Sequence, residues 1–434
     1  MTLPPFEIVL LGLGVALLFG TWLPQVLFGR HVALPALYAV AGAAVYAGFG
    51  FADDAHPTAH LPLAERLSEL TVVVSLFGAG LAIASPLEYG EWREPLRLLL
   101  IGMPLTILAT GALMLGVGTG VVALTPAAAL LFAACVSPTD PVLASSVSVP
   151  NPGGEAEGPV RFPLSGEAAL NDGFAFPFVY LAIYWAEAGG RWSDLSGELL
   201  LPWLGWTLLG KLTVGMLAGV LSGMAAARVI FPRRDAEDRR LPIADEHLGT
   251  VVLGTVLLSY TITEAIGGYG FLAVFACGAA VRRAENVGEH DHALHETTET
   301  LERVLTAAVL FLFGAAVTAL WNEMTWQSWA AAASIVMVIR PAVAMFSQKG
   351  LPAKRRVRLI VAFFGVRGVG SLYYLAYACG KLEGDVAERA AGLWPAMTAT
   401  VLLSLLLHGV LATPAVSWAA RLDGRVAEPE ATVE

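Results

Sequence analysis

Charge is what this sequence has least of. Asp, Glu, Lys and Arg make up 14% of its 434 residues, against about 25% in a typical soluble domain. With 56% hydrophobic residues, too few polar side chains remain to cover the surface of a soluble protein of this length. Cysteine is nearly missing as well. Cys135, Cys277 and Cys379 each fall inside an apolar run, so no disulfide framework or cysteine metal cluster is implied, and each is expected as a packing thiol. Stretches polar enough for a soluble domain are also lacking. The longest charged loop, about 231–246, is too short to fold alone, and 422–434 is expected as a short tail. Neither nucleic acid nor an organic cofactor is an expected partner; the lipid bilayer is.

What the chain does have is apolar runs of about 20 residues from end to end, the length that crosses roughly 30 Å of hydrocarbon. Spans are placed near 5–28, 32–51, 66–85, 95–119, 122–149, 162–186, 199–228, 247–264, 267–283, 301–320, 326–347, 355–379 and 393–417. The fold class is therefore all-α and polytopic, with about thirteen transmembrane helices in one domain, 1–421. The first run has no basic flank and carries Glu7, which predicts a retained helix and not a cleaved leader. Of the 26 basic residues, only Arg66, Arg191, Lys381 and Arg389 fall in alternate loops on one side. The positive-inside rule then puts the N-terminus outside and the C-terminus in the cytoplasm. With an odd span count, repeat one (about 5–186) and repeat two (about 247–417), separated by a linker helix (about 199–228), have opposite orientations. Such inverted repeats are a common plan of secondary transporters, with the site between broken helices at mid-membrane.

Two runs are broken at matching places in the two repeats. Ser137-Pro138-Thr139-Asp140-Pro141 interrupts the fifth span, and Gly365-Val366-Arg367-Gly368-Val369-Gly370 loosens the twelfth. Prolines remove helix donors and free carbonyls, and freed backbone at membrane depth is tolerated only against protein or a wet cavity. Thr139 and Asp140 add oxygen ligands of the kind a hard cation prefers; a kinked helix with Asp140 as a cap is the plainer alternative. In the sixth span Glu167 and Asn171 share a helix face, with Asp172 turned about 100° away. Charges in lipid are costly and default to function. Arg367 is the expected ion-pair partner of Glu167. That pairing leaves Asp172 without a permanent counter-ion, able to hold a proton or a cation; a water-lined structural network is the alternative.

Ser137–Val142, Glu167–Gly173 and Phe364–Leu372, together with Thr263–Val274, resemble segments of the NhaP-type monovalent cation/proton antiporters, relatives of the animal Na⁺/H⁺ exchangers. The likeness runs in order through nearly the whole chain. It implies an NhaA-like fold with two crossing broken helices and exchange of a monovalent cation, Na⁺ first and Li⁺ or K⁺ as alternatives, for protons. It further implies Asp172 as the carboxylate that binds cation and proton in turn, completed by Asp140, Thr139 and Asn171, with Na⁺ at Asp172, Asp140 and Thr139. Glu167 and Arg367 would form the structural pair, and Arg340 before Pro341 would be supporting. Asn171 before Asp172 matches the electroneutral branch, hence one-for-one exchange. A homodimer in a prokaryotic cytoplasmic membrane and a role in pH homeostasis are also implied. Two positions depart from the pattern: Gly78 stands where relatives often carry an acid, and Ala168 where they often carry Ser.

Other residues carry weaker readings. Lys211 is expected to snorkel or to pair at a subunit interface, Glu264 to cap a helix, and His408 to be packed and hydrogen-bonded. Glu289-His290-Asp291-His292 with His295 and Glu296 is expected as solvated charge, with regulation by titration as an alternative. Gly42, Gly48, Gly116 and Gly120 are expected at close helix contacts. Two rival readings use the same residues: a cation-coupled organic-solute symporter, and an intramembrane protease with Asp140 and Asp172 as a dyad, although no Gly-x-Gly-Asp signature is present.

Overall fold

The computed structural model describes residues 5–26, 34–50, 55–82, 89–118, 124–140, 161–231, 245–284 and 291–422. All regular structure among them is helical. The chain opens with α1 (Pro5–Val26), α2 (Leu34–Phe49) and α3 (Leu61–Ala82). Next come α4 (Tyr89–Arg97) and α5 (Met103–Val117), joined through a π-helical turn at Leu98–Gly102. A short α6 (Pro126–Val136) and a long α7 (Arg161–Glu187) follow. The middle rod consists of α8 (Gly197–Pro202), a π-helical stretch Trp203–Gly210 and α9 (Lys211–Ile230). The second half contains α10 (Asp245–Ala265), α11 (Gly270–Ala284), α12 (Asp291–Leu320), α13 (Trp326–Ser334) and α14 (Arg340–Ser347), the last two joined by a π-helical turn at Ile335–Ile339. It ends with α15 (Arg355–Phe363), α16 (Val369–Lys381), α17 (Gly384–Ala391) and α18 (Trp394–Leu422).

Each of the thirteen expected spans is matched by a helical rod, with the twelfth split between α15 and α16. Among the described residues six rods meet the length and hydropathy of a membrane span, including Trp92–Val117, Gly197–Ile230 and Leu294–Leu320. Shorter apolar helices include Leu34–Phe49 and Pro126–Val136. Large apolar side chains such as Leu18, Leu201, Leu221 and Val410 stand exposed on the outside, the arrangement expected when the solvent is lipid. This is a multi-pass membrane protein.

Proline sets the local irregularities. Pro104 and Pro341 each lie just past a π-helical turn. A proline cannot donate to the helix ladder and crowds the carbonyl four residues earlier, and a wider turn relieves both. The two turns occupy the fourth and eleventh spans, equivalent places in the two expected repeats.

Small residues let backbones approach. Gly215, Gly219 and Gly223 recur every four residues along α9 and face α11, where a Cβ on Gly215 would lie 2.7 Å from the Tyr269 carbonyl oxygen. Gly42 meets the Phe311 backbone of α12 in the same way. Gly48 and Gly116 do not: a Cβ on either meets nothing within 4 Å, so the expectation of close packing is corrected there. Spacing along a helix does not reveal which face a neighbour occupies. Gly120 lies outside the described residues. Cys135, Cys277 and Cys379 are buried free thiols, as expected.

Candidate functional site

Two unwound segments cross. Helix α6 starts on a cap, Thr125 Oγ1 accepting from the Ala128 amide at 3.2 Å with Pro126 in the first turn, and stops at Val136, leaving 137–140 non-helical. Helix α15 stops at Phe363, and α16 starts only at Val369. At the crossing the Asp140 amide donates to the Val366 carbonyl at 2.9 Å. The Val369 amide donates to Asp140 Oδ2 at 2.8 Å, and Arg367 Nη1 donates to the carbonyls of Ser137 (2.5 Å) and Pro138 (2.8 Å). A helix end exposes unpaired amides at its start and unpaired carbonyls at its finish, with matching partial charges. Each break therefore supplies the charge the other requires, a carboxylate at the start of α16 and a guanidinium at the end of α6. Pro141 and Val142 lie outside the described residues.

Residues from α18 fix the second break. The Arg367 amide donates to Ser404 Oγ at 2.7 Å. His408 Nε2 meets the Phe363 carbonyl at 3.0 Å, and its Nδ1 meets the Ser404 hydroxyl at 3.1 Å. It is the packed, hydrogen-bonded histidine expected.

Helix α7 brings the remaining side chains to the crossing. Asn171 Nδ2 donates to Thr139 Oγ1 at 2.7 Å, while Asn171 Oδ1 is buried with no partner. Tyr374 Oη donates to the Asp172 carboxylate at 3.0 Å and contacts the Asp172 carbonyl at 2.9 Å. Asp140 holds the Val369 amide, and the Asp172 carboxylate lies against Gly370, the next residue, so the two carboxylates share one environment. Asp140, Thr139, Asn171 and Asp172 are all buried. They form one cluster of oxygen atoms, as the sequence predicts.

The ion pair is a correction. Glu167 does not pair with Arg367; it pairs with Arg340, whose Nη1 and Nη2 reach the two carboxylate oxygens at 2.5 and 2.6 Å. The reason is geometric. The Nη1 of Arg367 is turned to the carbonyls ending α6, whereas Arg340 presents its planar fork to Glu167 and makes the bidentate contact such a fork favours. A Cβ at Gly365 would collide with the Arg340 side chain, so the glycine leaves room for this arginine. Arg340, expected only in support, is the partner.

The buried charges can now be compared. Asp140, Glu167 and Asp172 are buried carboxylates, and Arg340 and Arg367 are the buried guanidiniums beside them. Arg340 neutralises Glu167, and Arg367 and Asp140 are tied into the crossing. Asp172 has a tyrosine hydroxyl and no cation at hydrogen-bond distance among the described residues. An uncompensated carboxylate away from water costs several kcal/mol, so the site favours whatever positive species enters, a proton or a metal cation.

Three contributors were not singled out by sequence. Tyr374 is the donor to Asp172; it stands four residues after Gly370, one helical turn on, a spacing that could have flagged it. Gly370 leaves space for the carboxylate, since a Cβ there would lie 2.9 Å from Asp172 Oδ1. Ser371 Oγ is buried without a partner nearby in α16. Gly370→Ala is expected to displace the Asp172 carboxylate and raise the apparent KM for cation about tenfold, given how steeply misplacement of a reacting group acts. Cation titration of exchange in liposomes checks it, and an unchanged KM would count against the placement.

Aromatic rings close the space one turn past Asp172. Phe176 packs on Phe271 (5.0 Å between centroids), Tyr374 (5.3 Å) and Tyr377 (5.8 Å), and the hydroxyls of Tyr180 and Tyr377 meet at 2.6 Å. Lys211, expected to snorkel or to pair between subunits, instead lies over the Tyr180 ring at 4.8 Å, a cation–π contact within the molecule. Glu264 accepts from the Gly270 amide at 2.8 Å, so it caps α11 as expected. Of the histidine-rich tract, His290 and the side chain of His292 lie outside the described residues. His295 sits at the surface, 3.1 Å from Glu299. No group of three His, Cys, Asp or Glu able to hold a resident metal occurs among the described residues.

The overall fold recurs among solved structures. The structure superposes on that of the sodium proton antiporter MjNhaP1 from Methanocaldococcus jannaschii with a TM-score of 0.71 at 18% identity, covering 95% of this chain and 98% of that one. In sequence the chain is 27% identical over 382 residues to a probable Na⁺/H⁺ antiporter of Schizosaccharomyces pombe, covering 80% of this chain and 47% of that protein. It is 22% identical over 374 residues to a Na⁺/H⁺ antiporter of Saccharomyces cerevisiae, covering 79% of this chain and 36% of the yeast protein. The chain thus spans about half the length, or less, of these relatives. The model of the transmembrane sodium/hydrogen exchanger family matches residues 13–418, nearly the whole membrane part, and the chain belongs to that family.

Proposed function

We propose that this chain exchanges a monovalent cation, Na⁺ in the first place, for protons across a membrane, with the two ions competing for Asp172. It acts as a transporter and not as an enzyme. The observation that carries the proposal is the charge deficit at the crossing, where three buried carboxylates stand beside two buried guanidiniums and Asp172 has no cation at hydrogen-bond distance among the described residues. A single binding charge that accepts either H⁺ or Na⁺ cannot hold both, and that exclusion couples the two fluxes without any covalent intermediate. Thr139, Asn171 and Asp140 supply the remaining oxygens. The orphaned Asn171 Oδ1 is a ligand held ready in this reading. The names of the fungal and archaeal relatives support sodium, and the oxygen-only donor set suits a hard cation.

Alternating access would move a core bundle, the fourth to sixth and eleventh to thirteenth spans, against the other helices. The paired breaks and the paired π-helical turns before Pro104 and Pro341 support an inverted repeat with the site between its halves. The distribution of basic residues in the sequence supports an N-terminus outside and a C-terminus in the cytoplasm. In that orientation the Phe176 aromatic cluster closes the outer side of the site. By the resemblance, the second bundle forms a homodimer contact. One titrating carboxylate per cation gives electroneutral one-for-one exchange.

Purified protein in liposomes loaded with a pH dye tests the whole reading. Addition of Na⁺, Li⁺ or K⁺ in separate arms is expected to move protons, with Na⁺ or Li⁺ half-saturating at the lowest concentration. The rate should not respond to an imposed membrane potential. No cation-driven proton movement would end the proposal, and a voltage-dependent rate would end the one-for-one stoichiometry alone.

A further inference from the structure

Gly78 in α3 sits under a carboxylate from a different helix. A Cβ on Gly78 would lie 3.5 Å from Glu302 Oε2 and 3.1 Å from Thr298 Cγ2, both on α12. Glu302 Oε1 accepts from Ser75 Oγ at 3.1 Å, one turn before Gly78 on the same face of α3. Thr298 and Ser75 are buried, whereas Glu302 itself is only partly covered. Its carboxylate therefore lies toward the interior, while part of the residue stays open at the edge. Glu302 and Asp140 also act on one another electrostatically, so the acid is within range of the crossing described above. The other charged groups acting on it are Glu299 and Arg303, on either side of it in the same helix.

A carboxylate at such an edge has an energetic cost that needs a reason. A helix crossing sealed by apolar side chains would be more stable with Leu at position 302 than with Glu. A glycine at 78 gives up about 1 kcal/mol of helix propensity relative to alanine and clears the volume the carboxylate occupies. Both choices cost stability and leave an acid facing the core bundle from α12, a helix of the opposing bundle.

We propose that Glu302 is a second carboxylate of the transport path, drawing the cation from the face where α12 begins toward Asp140 and Asp172. It rests on the exchange reading above and adds to it a residue outside the crossing. By the resemblance, relatives often carry an acid where α3 has Gly78; the structure brings one to the same place from α12. Glu302 attracts a cation over the last stretch of the path and, being on the opposing bundle, is separated from Asp172 when the core bundle moves. It acts on entry, so its charge bears on KM more than on maximal rate.

The test is exchange in liposomes with the cation presented at the α12-start face, for the unaltered protein, Glu302→Gln, Glu302→Asp, Ser75→Ala and the double variant Gly78→Glu with Glu302→Gln. Glu302→Gln is expected to raise the apparent KM for Na⁺ about tenfold, the size expected for losing one nearby charge at protein-like dielectric, with a much smaller change in maximal rate. Glu302→Asp and the double variant, which moves the carboxylate onto α3, are expected to recover most of that loss. Ser75→Ala, which only frees the carboxylate, is expected to shift KM by less. An unmoved KM in Glu302→Gln, with exchange intact, overturns the proposal and leaves the exchange reading standing. A raised KM that neither carboxylate variant restores shows a packing role and overturns it too. No exchange by the unaltered protein overturns both. If Glu302→Gln does not fold, failure of the double variant to exchange with near-normal KM decides against the proposal.

Discussion

Asp172→Asn is expected to abolish exchange, lowering the rate by at least about a hundredfold, because removal of a buried charged partner costs about 2–5 kcal/mol of interaction with the ion it holds. Asparagine has nearly the shape of aspartate and can still meet the Tyr374 hydroxyl, now 3.0 Å from the carboxylate. What it lacks is the negative charge, so neither a proton nor Na⁺ gains by entering. The same change removes an uncompensated buried charge, whose desolvation works against folding. Thermal unfolding in detergent should therefore occur at the same temperature as for the unaltered protein or higher, while dye-reported proton movement is lost. That opposite response separates a binding residue from a structural one. Na⁺-driven proton movement surviving in the variant would refute the assignment.

The second large effect is on stability. Glu167→Ala or Arg340→Ala alone is expected to cost about 3–5 kcal/mol, because each leaves the other buried charge unpaired. Both residues are almost fully buried, at 2% and 3% exposure, so water cannot restore the balance. Glu167→Gln with Arg340→Met together should cost much less than the sum of the singles. A double-mutant cycle then reports a coupling energy of several kcal/mol between Glu167 and Arg340. The same cycle between Glu167 and Arg367 should give a smaller value, since the hydrogen bonds of Arg367 go to the Ser137 and Pro138 carbonyls and only charge at a distance links it to Glu167. Unfolding temperatures of purified variants measure both cycles. Stronger coupling to Arg367 than to Arg340 would reinstate the pairing read from sequence.

The contrast between those two arginines shows where sequence reasoning stops. Glu167, Arg340 and Arg367 were each visible as charges in apolar runs, where cost alone marks them. Which arginine faces the glutamate depends on the rotation of three helices about their axes and on what else each guanidinium meets. No spacing in the chain encodes that. Arg367 lay in the glycine-rich break and was the obvious partner; the carbonyls left by the other break claimed it first. Gly42 and Gly48 tell the same story. Both look alike in sequence, yet one touches the Phe311 backbone and the other faces open space. Glu302 was passed over because it falls at the predicted start of a span, where a charge resembles a solvated helix end.

Composition and period determined by themselves that this is a helical membrane protein, where its spans fall, where two of them break and which carboxylates are too costly to be idle. Those features are local: a proline removes its own hydrogen bond, and a charge in lipid is expensive whatever its neighbours. Tertiary structure alone decided the partners. It set Asp140 on the start of α16 and Arg367 on the end of α6, gave Glu167 to Arg340, and brought Tyr374 to Asp172. It also laid Glu302 over Gly78. Each of these is a contact between side chains far apart in the chain, fixed by how helices pack and by competition for the same buried charge.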